Sequence, residues 1–175
     1  MIVTDVTDIG DPFILNDGEK YYMYATSAKD GFLYYESDDL KSWKNCGYCY
    51  KGSSSLIESD YWAPEVYKIR GKYYMLFTAR WQKCHSLRLW LTVSDSPCGP
   101  FKNVYDRPLF DFGYAVIDGN LFFDDDGQTY LYYSRDCSEN IINGVHTSEL
   151  NCVKFNDETL ETDGEPVKLT TPDVP

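Results

Sequence analysis

Apolar and aromatic positions come in short runs that alternate with polar ones at a period of two, and no stretch sustains the longer period of an amphipathic helix. Three segments resemble one another: DPFILNDGEKYYMYAT at 11–26, APEVYKIRGKYYMLFTA at 63–79 and DGNLFFDDDGQTYLYYS at 118–134. Each joins a short apolar run to an aromatic run through a polar turn containing glycine, the pattern of a β-hairpin. The turn glycines Gly18, Gly71 and Gly127 recur at intervals of 53 and 56 residues. A further alternating stretch follows each hairpin, at 32–43, 87–101 and 144–155, with Ser37, Ser94 and Ser148 in step at intervals of 57 and 54. A unit of about 50 to 55 residues holding four short strands and no helix predicts a β-propeller blade rather than a solenoid or a sandwich. The expectation is an all-β chain of about three four-stranded blades, at roughly 8–50, 58–108 and 114–169 on the repeat spacing, within one domain spanning 1–175 and with no second domain.

A propeller covers its sheet faces by closing a ring, typically of about four to eight blades. Three blades leave two faces wet, and the sequence stops inside the Pro- and Thr-rich run TTPDVP, from Thr170 to Pro175. The chain is therefore expected to be the amino-terminal part of a longer protein.

Composition narrows the partners. Sixteen Tyr, 9 Phe and 4 Trp make up 17% of the chain, which suits strands, and 16 basic against 28 acidic residues leave a net charge of −12. That charge repels phosphate backbones and anionic lipid, so neither nucleic acid nor a membrane is an expected partner. No run approaches the roughly 18 apolar residues of a membrane span. No Lys or Arg precedes Lys20, so a secretory leader's basic start is absent and the expected location is the cytoplasm. Of the six cysteines, Cys46 and Cys49 form a C-x-x-C, but no second pair follows and only His85 and His146 could complete a zinc set. Free thiols, no metal and no cofactor are expected. Asp124, Asp125 and Asp126 before Gly127 read as a solvated turn that lacks the Glu of a calcium loop.

The first strand of such a repeat lines the central channel, so residues at its start face one another across a shared mouth. Asp11 stands seven residues before Gly18, Ala63 eight before Gly71 and Asp118 nine before Gly127, with Trp62 beside the middle position. Singly, Asp11 reads as a strand-entry residue before Pro12, Asp118 as a turn cap and Trp62 as core. Their equivalent places in the repeat raise them to candidates. Facing carboxylates with an aromatic wall suit hydrolysis of a glycosidic bond: one carboxyl protonates the leaving oxygen while another activates water or attacks.

These residues also carry a family resemblance. DPFIL with Asp11, YWAPEVY spanning Trp62 to Glu65, and IDGNLFFDDDGQTYL with Asp118 resemble, in order, the three signature blocks of glycoside hydrolase family 43. The resemblance implies a five-bladed propeller that inverts the anomeric carbon of arabinofuranosyl or β-xylosyl linkages in plant cell-wall oligosaccharides and polysaccharides, without a cofactor. It gives Asp11 the role of general base, Asp118 that of the carboxylate that raises the pKa of the acid and orients it, and Trp62 a place in substrate binding. There are two departures. Gly119 stands where the family usually has Pro, which is expected to loosen the backbone. The general acid, a Glu in a Glu-Gly-Pro-like block of the fourth blade, has no match: Glu165 before Pro166 lies in the outgoing segment of blade three, and Glu65 is not the family's acid. The expectation is a hydrolase fragment with little turnover. Its rivals are a non-catalytic glycan-binding arc, a purely structural repeat, and a fructosidase-like propeller, whose Asn-Asp-Pro-Asn block is here Gly10-Asp11-Pro12-Phe13.

Overall fold

The computed structural model describes residues 6–173, and every regular element among them is a β-strand. Strands β1 (Gly10–Asn16), β2 (Tyr21–Thr26), β3 (Gly31–Ser37) and β4 (Lys44–Lys51) pair in chain order as one antiparallel sheet. A second sheet repeats the order with β5 (Ile57–Ile69), β6 (Lys72–Trp81), β7 (Ser86–Ser94) and β8 (Lys102–Asn103). The third begins with β9 (Val116–Phe123) and β10 (Thr129–Arg135). A two-stranded hairpin, β11 (Ile141–Ile142) and β12 (Val145–His146), then interrupts it before β13 (Glu149–Asn156) and β14 (Glu161–Thr170) complete it.

The three hairpins fall where the alternation places them, and Gly18, Gly71 and Gly127 have φ of +93°, +78° and +85°, a region costly for side-chain-bearing residues. The serine spacing does not hold in the third sheet. Ser37 and Ser94 end the third strands of their sheets, paired with Tyr21 and Tyr73, whereas the equivalent partner of Thr129 is Phe155 and Ser148 precedes β13 altogether. The inserted hairpin displaces the third strand, so the matching interval was fortuitous.

Strand alternation sorts the core into layers. Along β6, Tyr73, Met75, Phe77 and Ala79 point into a cluster with Tyr24, Phe32, Tyr50 and Trp90, between the first and second sheets. The intervening Tyr74 and Leu76 pack with Leu89, Leu91, Leu121, Leu131 and Tyr133, between the second and third. Covered on both faces, β6 and β7 read as nearly continuous apolar runs. Phe77 holds the first layer together, its ring centroid 5.0 Å from that of Phe32 and 5.2 Å from that of Tyr50; such pairs add about 0.5–1.5 kcal/mol each beyond burial. On the far side of the first sheet Met23, Tyr35 and Trp43 are buried with help from Val6, Ile9 and Leu40. The far side of the third sheet instead exposes Phe122, packed edge-on against Tyr132, together with Leu150 and Val167.

Gly119 corrects its sequence reading. It is buried, and a Cβ there would lie 2.6 Å from Leu89 Cδ1 and 2.9 Å from Leu76 Cδ2, both leucines being fully buried. The glycine therefore lets β9 approach the second sheet closely rather than loosening the backbone. Gly119→Ala is expected to destabilise the chain by about 1–3 kcal/mol through overpacking, read as a lower denaturant midpoint at unchanged slope.

Candidate active site

The first strands lie at the junctions between sheets: β5 packs against β1 and β2 of the first sheet, and β9 against β6 and β7 of the second as well as against β5. The register of each is broken, once in β1 and β9 and three times in β5, and non-glycine residues at these breaks take a left-handed backbone: Asp11 at φ +49°, Ala63 at +46° and Asp118 at +55°, with Asp60 at +61° at an earlier break of β5. Asp tolerates this region better than most residues, Ala does not, and the strain is of order 1–2 kcal/mol. A threonine from the preceding sheet holds two of these bulges. Thr26 Oγ1 accepts the Ala63 amide at 2.9 Å, and Thr78 Oγ1, fully buried, accepts the Asp118 amide at 3.0 Å. Bulges re-aim side chains, and strained positions gather at functional sites.

The result brings the two predicted carboxylates into one electrostatic environment. Asp11 and Asp118 are both solvent-exposed, and Asp11 Oδ2 accepts the Thr26 hydroxyl at 2.9 Å. Partial removal from water, and then the charges of Asp11, Asp136 and Glu65, raise the Asp118 carboxyl above the usual carboxylate range. Trp62 pairs with Thr78 across the second sheet and is 37% exposed, which excludes the core reading. It walls a shallow cleft with Thr26, Ala28, Lys29, Ser59, Asp60 and Tyr61, immediately beside the Thr26–Asp11 hydrogen bond.

Sequence reasoning missed several members of this site. Glu65 Oε2 accepts hydrogen bonds from the Tyr67 hydroxyl and, at 2.9 Å, from Asn120 Nδ2; Tyr67 in turn accepts the Leu121 amide at 2.9 Å. Burial and the Glu65 charge push the Tyr67 phenol well above its ordinary pKa, so it remains a neutral donor. Asp136, buried at the end of β10, accepts the Ser138 amide at 3.2 Å and the Ser138 hydroxyl. Thr26 and Thr78 are visible as the ends of the matching runs YYMYAT and YYMLFT; the Glu65–Asn120 and Tyr67–Leu121 contacts unite residues more than fifty positions apart and leave no local trace. Glu165 lies on β14, the strand farthest from β9 in its sheet. Cys46 and Cys49 are both free thiols on β4, and burial pushes Cys49 up to about 12.

With this geometry in hand, comparison with known proteins is decisive on kinship. The model for glycosyl hydrolases family 43 matches residues 5–174. The chain belongs to glycosyl hydrolase family 43. A crystal structure of a thermostable family-43 glycoside hydrolase is 41% identical and superposes with a TM-score of 0.90, over 98% of this chain and 56% of that one. An endo-arabinase from Bacteroides thetaiotaomicron VPI-5482 is 29% identical at a TM-score of 0.86, over 97% and 58%. A probable arabinan endo-1,5-alpha-L-arabinosidase A from Emericella nidulans is 28% identical over 142 residues, 72% of this chain and 42% of that protein. This family-43 chain thus spans about half the length of the relatives it matches.

The raised Asp118 pKa makes a signed prediction. A carboxyl whose folded pKa lies above its unfolded value of about 3.9 costs no stability below that value, and folding weakens as pH climbs through the folded pKa. Asp118→Asn, which keeps a side chain suited to positive φ, is expected to raise Tm at pH 7. Its advantage is expected to vanish below about pH 4, where both forms are neutral. Thermal melts from pH 3 to 8 check this; a constant advantage across that range excludes the electrostatic origin.

Proposed function

We propose that this chain supplies the general base and the acid-tuning carboxylate of an inverting glycoside hydrolase acting on arabinofuranosyl or β-xylosyl linkages of plant cell-wall polysaccharides. In this reading its three sheets are three blades of a five-bladed propeller, at about 8–50, 58–108 and 114–169 on the repeat spacing. The observation that carries it is the pairing of Asp11 and Asp118 at equivalent strained bulges of two separate sheets, near enough for the charge of one to raise the pKa of the other. The exposed apolar side of the third sheet, with Phe122, Leu150 and Val167, supports the existence of a further neighbouring sheet, because the equivalent side of each preceding sheet is covered. The arabinan-cleaving relatives support the substrate class.

In the proposed reaction Asp11 removes a proton from a water molecule as that water attacks the anomeric carbon on the face opposite the leaving oxygen. Trp62 offers an apolar ring to the C–H face of the sugar. Asp118, negatively charged near a carboxylic acid supplied by another part of the protein, keeps that acid protonated until it gives its proton to the leaving oxygen. Neither Glu65, bound by Tyr67 and Asn120, nor Glu165, on an outer strand, serves as that acid.

The 175-residue chain is accordingly expected to bind pentose oligomers without turning them over. Removal of a general acid costs about 10²–10⁴ in rate, so hydrolysis of nitrophenyl arabinofuranoside or xyloside should be barely detectable. Arabino- or xylo-oligosaccharides should quench tryptophan fluorescence, and Trp62→Phe should remove the quench. Absence of any response to pentose oligomers would overturn the sugar-site reading in favour of a scaffold; robust turnover abolished by Asp11→Ala would show that the chain completes the site by itself.

A further inference from the structure

We propose that Thr26 is a positioning residue for Asp11, aiming its carboxylate through a hydroxyl whose proton direction is dictated by the neighbouring sheet. The argument starts from donor arithmetic. A hydroxyl has one hydrogen to give, and a backbone amide can only donate. The Ala63 amide lies 2.9 Å from Thr26 Oγ1 and occupies its acceptor side, so the single Thr26 hydrogen points to its other neighbour, Asp11 Oδ2, also at 2.9 Å. A carboxylate oxygen accepts it without conflict. Asp11 Oδ1 accepts no hydrogen bond among the described residues, which in this proposal leaves it as the oxygen that takes a proton from water.

The strained geometry of Ala63 acquires a purpose in this arrangement. Its left-handed φ of +46° turns the amide out of the β5 ladder toward the first sheet, where it meets Thr26 instead of a strand partner. The second sheet carries no carboxylate at its bulge, yet through this amide it orients the carboxylate of the first. The Thr78 hydroxyl accepts the Asp118 amide in the same way, but no carboxylate of its own sheet receives its proton among the described residues. The Asp11–Thr26–Ala63 chain is thus specific to the proposed base and not a general feature of the repeat.

The consequence for catalysis rests on the reading of Asp11 as a base, but the hydrogen-bond chain is testable without any sugar. The probe is the Ala63 amide cross-peak in ¹⁵N NMR spectra of the 175-residue chain, followed from pH 3 to 8. Protonation of Asp11 removes the charged acceptor of the Thr26 hydroxyl and weakens the pull on the Ala63 amide, so that cross-peak should shift with pH. Other titratable groups surround the opening, namely Glu65, Tyr67, Asp118 and Asp136, with Lys29, Tyr61 and the Asp60–Arg80 pair at the cleft. Asp11→Asn separates their influence, because it should abolish the pH-dependent shift if Asp11 is the source. Thr26→Ser should retain the shift and Thr26→Val should lose it while circular dichroism remains unchanged. A wild-type Ala63 amide indifferent to pH, a shift that survives Asp11→Asn or Thr26→Val, or one lost in Thr26→Ser would each overturn the proposal. If Thr26→Val does not fold, the wild-type, Asp11→Asn and Thr26→Ser titrations still decide it. A chain that binds no sugar can pass this test and a sugar-binding chain can fail it, which keeps this inference separable from the proposed function.

Discussion

The arrangement of the site depends on one kind of contact: the amide of a left-handed residue in one sheet donated to a threonine hydroxyl on the second strand of the sheet before it, Thr26 at the end of β2 and Thr78 in the last part of β6. Apolar layers alone would let neighbouring sheets slide, because hydrophobic contact is non-directional. A hydrogen bond between a specified amide and a specified hydroxyl is directional, and leaving a buried partner unmade costs about 1–3 kcal/mol. It therefore sets the height of β5 and of β9 against the sheet before each. The bulge that frees the amide also re-aims the side chain at that position, and Asp is among the few non-glycine residues that accept such a backbone. Registration of the sheets and presentation of a carboxylate thus follow from the same local geometry.

The layers behind that contact give it a firm base. The second sheet is clamped on both sides, with Met75, Phe77 and Trp90 toward the first and Leu76, Leu89 and Leu91 toward the third. Gly119 brings β9 close enough to Leu76 and Leu89 that nothing larger fits. Asp118 is therefore fixed twice, by the Thr78 hydroxyl at its own amide and by close packing one residue later.

Much of the fold is legible because strands and hairpins write local signatures: alternation, aromatic runs and turn glycines at Gly18, Gly71 and Gly127. The third strand of the third sheet is the instructive miss. Ser148 repeats an interval without repeating a register, because the β11–β12 insertion consumes the residues that would have extended the strand. The positions of Asp11 and Asp118 near the start of a first strand are likewise readable from the repeat, whereas Trp62 and Ala63 fall in the middle of β5, which begins at Ile57, because that strand runs on through its register breaks. What surrounds them is not. Glu65 meets Asn120 only across two sheets, and the significance of Thr26 and Thr78 appears only once the bulges break the ladder and release the Ala63 and Asp118 amides. Contacts of that kind have no period in the sequence and must be found in space.

The electrostatic design of the opening follows from which donors it employs. Other carboxylates of the chain are answered with cations: Asp60 in the Trp62 cleft with Arg80 at 2.7 Å, Asp111 with Arg88 at 2.9 Å and Glu149 with Arg135 at 3.4 Å. Asp11, Glu65, Asp118 and Asp136 receive none among the described residues. Where hydrogen bonds reach their side chains, the donors are neutral: the Thr26 hydroxyl, Tyr67, Asn120 and Ser138. A neutral donor fixes a carboxylate in place without cancelling its charge, whereas an arginine would do both. The accumulated negative charge costs stability, and part of that cost is visible in the raised Asp118 pKa. In the proposed function it also supplies a field that favours a cation-like sugar centre, since the transition state of glycoside hydrolysis has oxocarbenium character. Placing an arginine against Asp11 or Asp118 would relieve the repulsion in the resting protein and, in that proposed function, weaken the field. Cations do reach the neighbourhood, Lys29 lining the Trp62 cleft and Arg80 holding Asp60 there, but the side chains of Asp11, Glu65 and Asp136 are met by neutral hydroxyl and amide donors, which in the proposed function leaves these carboxylates charged beside one another.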